Sequence, residues 1–186
     1  GYSDIAIGTS KLFGIKLSKN FSTPYFSRNI GEFWKNWHIS LSSWFKDYVY
    51  IPLGGSKKGK IITTRNIFIV FFLSGLWHGS KWSFILWGIL HALFLVIHKQ
   101  LPPRKNRDLD SMTYRFICTA FTFTLVTLAW IPFRGNDLDH IIDCYSSLFS
   151  ITLFTIPHQI VHNPSTLPIL FFIFILLTLE YIYNYW

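Results

Sequence analysis

The sequence is short of charge and almost without cysteine. Only 14% of its 186 residues are Asp, Glu, Lys or Arg, whereas ordinary soluble domains carry about 25%. The two cysteines, Cys118 and Cys144, cannot build a disulfide framework and lack the spacing of metal ligands. These shortages argue against an ordinary soluble domain and exclude a disulfide-stapled scaffold.

Hydrophobic residues make up 51% of the chain and aromatic residues 19%, a composition typical of membrane proteins. The formal net charge is +8, but the cations stand in short clusters between apolar runs and not along one continuous face. We therefore expect contact with membrane lipids and no binding of nucleic acid.

The chain opens with GYSDIAIG, without an initiator methionine and without the pattern of a signal peptide. No internal repeat, low-complexity tract or soluble domain is evident along it. We expect residues 1–186 to form a single membrane-embedded region that belongs to a longer multi-pass protein.

Charged loops divide the chain into membrane segments. Lys and Arg cluster at 57–65 and 99–107, whereas the loop at 134–143 is mainly acidic, so the positive-inside rule puts the basic loops in the cytoplasm and the acidic loop outside. Residues 66–98 must then leave the cytoplasmic side and return within about 33 residues, where two full crossings need about 40. We predict a hairpin of short or broken helices that turns at the HGSK sequence, residues 78–81.

The later apolar runs complete the predicted fold. Residues 116–133 are long and apolar enough to cross outward, and residues 166–186 can cross back. Between them, residues 144–161 are of mixed polarity, which favours an interfacial or re-entrant helix. The predicted fold class is all-α, a polytopic membrane bundle with short or broken helices and an amphipathic interfacial helix.

The amphipathic helix is predicted over residues 28–50. At about 100° per residue, its apolar side chains fall within an arc of roughly 120°. That arc contains Ile30, Trp34, Trp37, His38, Leu41, Trp44, Phe45 and Tyr48. Pro52 opposes continuation of the helix, and Gly54 and Gly55 allow a tight turn after it.

His78 lies in the sequence SGLWHG, between two apolar runs. An ionisable group at membrane depth is a functional hypothesis by default, and the flanking glycines allow close approach by a ligand. The alternative is structural: His78 could hold a turn through hydrogen bonds, and Gly75 with Gly79 could serve only to let helices approach. The residues alone leave both alternatives open.

No metal site is expected. His158 and His162 have the i, i+4 spacing of a zinc pair, but Gln159 stands where a zincin has its catalytic Glu, and no third ligand is evident. His91 and His98 are seven residues apart on one helix face, which is too far to chelate. No phosphate-binding glycine loop or nucleophile motif is present.

Three segments in this order resemble the membrane-bound O-acyltransferase family, and specifically its alginate O-acetyltransferase branch: GYSDIAIG, FWKNWHISLSSWFKDYVYIPLGGS and SGLWHG. The resemblance implies that His78 is the catalytic histidine and that His38, in WHISLS, is the family's second histidine. It also implies acyl transfer to a cell-surface polysaccharide in the bacterial cytoplasmic (inner) membrane. The branch that transfers D-alanine to teichoic acids shares some of these positions and remains an alternative.

The chemistry of such a transfer assigns a role to each histidine. A sugar hydroxyl needs a base to take its proton, and an imidazole with an ordinary pKa near 6.5 suits that task, so His78 is the expected base. His38 could polarise the acyl carbonyl, orient a substrate or serve the fold. The expected donor is acetyl-CoA or another acyl thioester, with no bound cofactor, and the basic loop with Lys57, Lys58 and Lys60 could attract its phosphates.

The resemblance further implies an extracytoplasmic acetylation partner protein, and we expect this chain alone to be inactive. Two other classes of function stay open on the residues: a component of a membrane transporter, for which broken helices and a buried histidine are also typical, and a noncatalytic scaffold that docks through its Trp-rich helix.

Overall fold

The structure, a computed structural model, describes residues 2–102, 111–150 and 166–185. Within these ranges the chain is helical and contains no strand. The predicted all-α fold class is therefore confirmed. The chain divides into two compact units, residues 1–141 and 142–186.

Eight α-helices follow one another along the described residues. They are α1 (Tyr2–Leu12), α2 (Ile30–Asn36), α3 (Ile39–Phe45), α4 (Lys60–His78), α5 (Trp82–Gln100), α6 (Met112–Arg134), α7 (Leu138–Leu148) and α8 (Thr166–Tyr185). A 3-10 turn at Pro24–Phe26 precedes α2, and a π-helical turn at Lys46–Tyr50 continues α3.

Helices α4, α5 and α6 are long and apolar enough to cross a membrane. Helix α6 contains the whole segment that the sequence predicted to cross, residues 116–133. Helix α8, in the second unit, covers the other predicted crossing segment. Helix α7 takes up the start of the predicted interfacial segment, and residues 151–165 lie outside the described residues.

The prediction of short or broken helices over residues 66–98 was wrong. The chain does turn at residues 79–81, as expected, but α4 and α5 are unbroken helices of 19 residues each, about 28 Å long at about 1.5 Å per residue. The reason is that α4 begins within the basic cluster, at Lys60, and α5 continues through Lys99. Long cationic side chains can extend along an apolar surface to water, so they need not end a membrane helix.

Two glycines let α4 and α5 approach each other closely. A Cβ atom on Gly75 would lie 2.5 Å from the carbonyl oxygen of Phe84, and one on Gly88 would overlap the carbonyl oxygen of Phe71. Gly79 then ends α4 with a φ of +151°, a conformation that favours glycine. The hairpin of α4 and α5 therefore depends on contact between the two backbones, which small residues make possible in membrane helices.

The predicted helix over residues 28–50 was correct in its start and wrong in its continuity. Helix α2 ends at Asn36, and His38 adopts a left-handed conformation with φ 44° and ψ 54° before α3 begins. Asn20 stabilises this break, because its backbone oxygen accepts from Ile39 N at 2.9 Å and its Oδ1 accepts from Ser40 N at 2.9 Å. The break therefore has its own hydrogen-bond partners.

The break gives the two halves of the predicted apolar face different environments. In α2, Ile30 and Phe33 are buried and pack with Val126 of α6. Beyond the break Phe45 is still buried, whereas Trp44 and Tyr48 are 51% and 68% exposed. The turn after them is as predicted, since Gly54 and Gly55 have φ values of +103° and +55°.

Replacing Gly88 with alanine tests the close helix contact. The added methyl meets the backbone of α4, so Gly88→Ala should lower the stability of the folded protein by about 1–3 kcal/mol. The control is Gly8→Ala, because Gly8 lies in α1 with nothing within 4 Å of its Cβ position. Thermal melting of the purified protein measures both, and equal melting temperatures would contradict the contact.

Candidate active site

His38 and His78 line one cavity of about 460 Å³ within the first unit. Residues of α2, α3, α4 and α5 all contribute to its walls. The apolar part of the wall consists of Trp34, Trp37, Ile39, Leu41, Phe45, Ile67, Val70, Phe71, Trp87 and Leu95. The two histidines singled out in the sequence, 40 positions apart, thus face the same space.

Aromatic rings from three helices surround the His78 side chain. His78 is the last residue of α4, and its ring centroid lies 4.9 Å from Trp77, 5.2 Å from Trp87 and 4.9 Å from Phe133. All three contacts are edge-on, with interplanar angles of 79–88°. This packing fixes the direction of the imidazole at the end of the cavity.

The His38 side chain is positioned by the break between α2 and α3. Its backbone oxygen accepts from Ser42 N at 2.9 Å, which starts α3. Its Nδ1 is buried without a hydrogen-bond partner in the described part of the chain, which leaves Nε2 as the ring nitrogen that a ligand can reach. The Trp77 ring lies 6.2 Å from His38 and 4.9 Å from His78, so one indole contacts both imidazoles.

A left-handed conformation is costly for a residue with a side chain, by about 1–2 kcal/mol. Such strain persists only where surrounding contacts enforce it, and it concentrates at functional sites. At His38 the enforcing contacts are the hydrogen bonds from Ile39 and Ser40 to Asn20. The strain is thus consistent with a residue whose direction matters.

The end of the cavity at Lys99 is cationic. Lys99 Nζ lies 3.4 Å from the Tyr50 hydroxyl and 5.6 Å from the centre of its ring. Lys35 and Lys46 also line the cavity. Lys99 and Ile67 also share a second cavity of about 290 Å³, so the cationic end lies beside Ile67. From Ile67 to His78 the cavity follows α4 for about 16 Å.

His91 has a role that the sequence did not reveal. It is 0% exposed, and the rings of Phe33 and Phe71 stack on it at 6.2 Å each. Its edges meet Trp34 at 4.9 Å and Trp87 at 5.0 Å, two walls of the cavity. Neither ring nitrogen has a hydrogen-bond partner among the described residues. His91 therefore supports the aromatic wall from behind.

The signal that found His78 could also have found His91. His91 lies within the run WGILHALFLVI, which is as apolar as the surroundings of His78. Its distance from His98 in the sequence indicates nothing about this packing. Lys99 belongs to a basic cluster in the sequence, and the structure puts it on the cavity.

Several predicted residues are not at this cavity. Lys57 and Lys58 are exposed and do not line it, and Lys60 lines only the second cavity. His158 and His162 lie outside the described residues, as do the cations at 104–107. The cavity is therefore lined by other lysines than Lys57, Lys58 and Lys60.

The family of this chain follows from comparison with known proteins. The model of the membrane-bound O-acyltransferase family, MBOAT, matches residues 1–121, a range that contains both histidines of the cavity. The chain belongs to this family. The three apolar helices and the family together make it a membrane protein.

Named relatives show which branch the chain is similar to. A probable alginate O-acetylase of Pseudomonas putida is 44% identical over 81% of this chain and 30% of its own length. A peptidoglycan O-acetyltransferase of Helicobacter pylori is 42% identical over 75% of the chain and 26% of its own length. A teichoic acid D-alanyltransferase of Bacillus subtilis is 36% identical over 75% of the chain and 38% of its own length.

The chain thus spans roughly a third of the length of these relatives. The resemblance to the alginate O-acetylase branch is confirmed, and the relatives include both acetyl and D-alanyl transferases. The roles of His38 and His78 within this MBOAT chain remain predictions.

The environment of His91 gives a prediction for stability. The His91 ring makes no hydrogen bond in the described part of the chain, so replacing it with an apolar side chain of similar size loses none. His91→Leu should therefore leave the melting temperature unchanged or raise it. His91→Ala, in contrast, opens a void and should cost about 2–4 kcal/mol. Thermal melting of the two variants measures this. A large destabilisation by His91→Leu would show that the imidazole nitrogens contribute to the fold.

Proposed function

We propose that the protein transfers an acetyl group from a thioester donor to hydroxyl groups of a cell-surface polysaccharide, with His78 as general base. The proposal rests on the cavity that His38 and His78 line together, in a chain of the MBOAT family. Two of the relatives are named as O-acetyl-transferring enzymes of alginate and peptidoglycan.

In this reaction His78 accepts one proton and later gives it up. A sugar hydroxyl is a poor nucleophile at neutral pH, so His78 takes its proton as the oxygen bonds to the acyl carbon. The carbonyl electron pair moves onto the acyl oxygen. The pair then returns, the C–S bond breaks, and the leaving sulfur takes up the proton held by His78. The products are an ester and a thiol.

His38 is suited to act on the acyl group. Its reachable nitrogen is Nε2, since Nδ1 is buried, and its ring lies near His78 through the shared Trp77 contact. A donor placed beside the carbonyl stabilises the charge that develops there, a contribution often worth about 10²–10³ in rate. We assign His38 this polarising or orienting role.

The shape and charge of the cavity suit a thioester such as acetyl-CoA. In acetyl-CoA a flexible arm connects the reactive carbonyl to the phosphates. The cavity extends for about 16 Å along α4, from His78 at one end to the region of Lys99 at the other. Lys99, held against Tyr50, attracts an anionic group at that end. The donor is a substrate here, and no bound cofactor is proposed.

The remaining expectations concern the cell. We propose that the protein works in the bacterial cytoplasmic membrane, surrounded by lipid, and that it delivers acetyl groups to a polysaccharide with an extracytoplasmic partner protein. Transfer of D-alanine to teichoic acid is the second candidate, because the B. subtilis relative carries that name. Both reactions use the same proton transfer at His78.

The role of His78 is tested in the full-length protein. His78→Ala and His78→Gln should each reduce polysaccharide acetylation by about 10²–10⁴, because an amide can hydrogen-bond but cannot accept a proton at neutral pH. Acetyl content of the polysaccharide and protein level in the membrane are measured together. The control is His140→Ala, since His140 is exposed on α7.

Two outcomes would contradict this role. Acetylation within a few-fold of wild type in either variant would exclude a general base. Disappearance of both variants from the membrane, with His140→Ala present at the normal level, would instead assign His78 to the fold.

The left-handed conformation of His38 allows a variant that removes the ring without straining the backbone. Glycine adopts this conformation freely, so His38→Gly should keep a melting temperature at least as high as that of His38→Ala. Acetylation should nevertheless fall at least tenfold in both. Normal acetylation by His38→Gly would show that the imidazole has no part in the reaction, and unfolding of His38→Gly would assign the ring to the fold.

A further inference from the structure

Ser74 is a buried polar residue on the wall of the cavity. It is 6% exposed, lies on α4 and lines the same space as His78. Its hydroxyl has no hydrogen-bond partner within the described part of the chain. The hydroxyl is not among the side-chain atoms that are buried without a partner, so it opens onto the cavity that Ser74 lines.

Several helix hydroxyls in this protein donate to a backbone oxygen of their own helix. Thr63 donates to the carbonyl oxygen four residues before it at 2.8 Å, and Thr122 and Thr124 do the same at 2.9 Å each. This bond back to residue i−4 is the usual one for Ser and Thr inside helices. Ser74 departs from the pattern, which leaves its hydroxyl available to a molecule in the cavity.

The position of Ser74 relative to His78 brings their side chains together. Residues four apart lie on the same helix face, and a helical side chain leans back over the preceding turn. The His78 ring therefore leans towards the turn that carries Ser74, and both side chains border the cavity. A group bound between them is within reach of one imidazole and one hydroxyl.

We propose that Ser74 donates a hydrogen bond to the carbonyl oxygen of the donor thioester, and so stabilises the charge on that oxygen during transfer. The inference rests on the proposed function. As the sugar oxygen attacks, the carbonyl electron pair moves onto the oxygen, and the Ser74 hydroxyl donates to it without giving up its proton. When the C–S bond breaks, the pair returns and the hydrogen bond weakens.

The other hydroxyls that line the cavity suit this role less well. Ser43 is exposed and lies on α3, not on the helix that carries His78. Ser42 also lines the cavity, but its hydroxyl already donates to the Trp37 carbonyl oxygen at 3.1 Å. Tyr50 shares its hydroxyl with Ser56 at 2.7 Å and lies at the cationic end. The other α4 residues on the wall between Ile67 and His78 are apolar. Ser74 is therefore the uncommitted donor on the described wall closest in sequence to His78.

The test measures transfer at varied donor concentration. Membranes from cells that express the full-length protein in place of the chromosomal copy receive radiolabelled acetyl-CoA, with unacetylated polysaccharide from the deletion strain as acceptor. Removing one such donor typically lowers kcat by about 10²–10³. Ser74→Ala should thus lower kcat at least tenfold with the KM for acetyl-CoA within about threefold, while Ser74→Thr, which keeps the hydroxyl, should recover most of kcat.

Ser83→Ala is the matched control. Ser83 is 3% exposed on α5, its hydroxyl also lacks a partner among the described residues, and it does not line the cavity. This variant should keep wild-type kcat. Equal loss in Ser74→Ala and Ser83→Ala would overturn the proposal, because removal of a buried hydroxyl would then act through packing. A kcat for Ser74→Ala within threefold of wild type, or a change in KM alone, would also overturn it.

The same assay separates this proposal from the one on which it rests. If His78→Gln were inactive and Ser74→Ala active, only the proposed role of Ser74 would be contradicted. Activity in His78→Gln would contradict the role of His78 as general base. If the wild-type protein incorporated no label, acetyl-CoA would not be the donor, and both proposals would be contradicted. Loss of kcat in both His78→Gln and Ser74→Ala, with recovery in Ser74→Thr, supports the two together.

Discussion

The site depends on one break in the chain, between α2 and α3. At His38 the backbone turns left-handed, and Asn20 accepts hydrogen bonds from Ile39 and Ser40 that hold the break in place. The hydrogen bonds, at about 1 kcal/mol each, offset a strain of similar size. Because α2 stops here, its apolar side packs into the bundle, whereas α3 buries only Phe45. The cavity lies between these helices, α4 and α5.

Rigid aromatic packing then gives the cavity its two chemically different ends. Trp34 and Trp87 form walls and are supported from behind by His91, and edge-on rings fix His78. Lys99 stands at the other end, beside Tyr50. A bundle held by backbone contact at Gly75 and Gly88 can keep this arrangement with little movement, which is the condition for preorganised catalysis.

The sequence predicted those features that follow from local pattern. The apolar run of α6, the turn after His78 and the two site histidines could be found from hydropathy and from the family motifs. The break at His38 could not, because a helical projection assumes uniform dihedral angles and the stabilising Asn20 lies 18 positions earlier. The full length of α4 was missed because its first turn is cationic, and the role of Ser74 depends on which wall it faces, which only the packing decides.

The proposed reaction requires that an acyl group bind between His38 and His78. The most direct measurement is an experimental structure of the full-length protein with a ketone analogue of acetyl-CoA, in which a methylene replaces the thioester sulfur. We expect the analogue carbonyl within hydrogen-bond distance of His38 Nε2 or the Ser74 hydroxyl, next to the His78 ring, with the phosphates at the Lys99 end. An analogue bound elsewhere, or bound with its carbonyl at the Lys99 end, would exclude this placement of the acyl group.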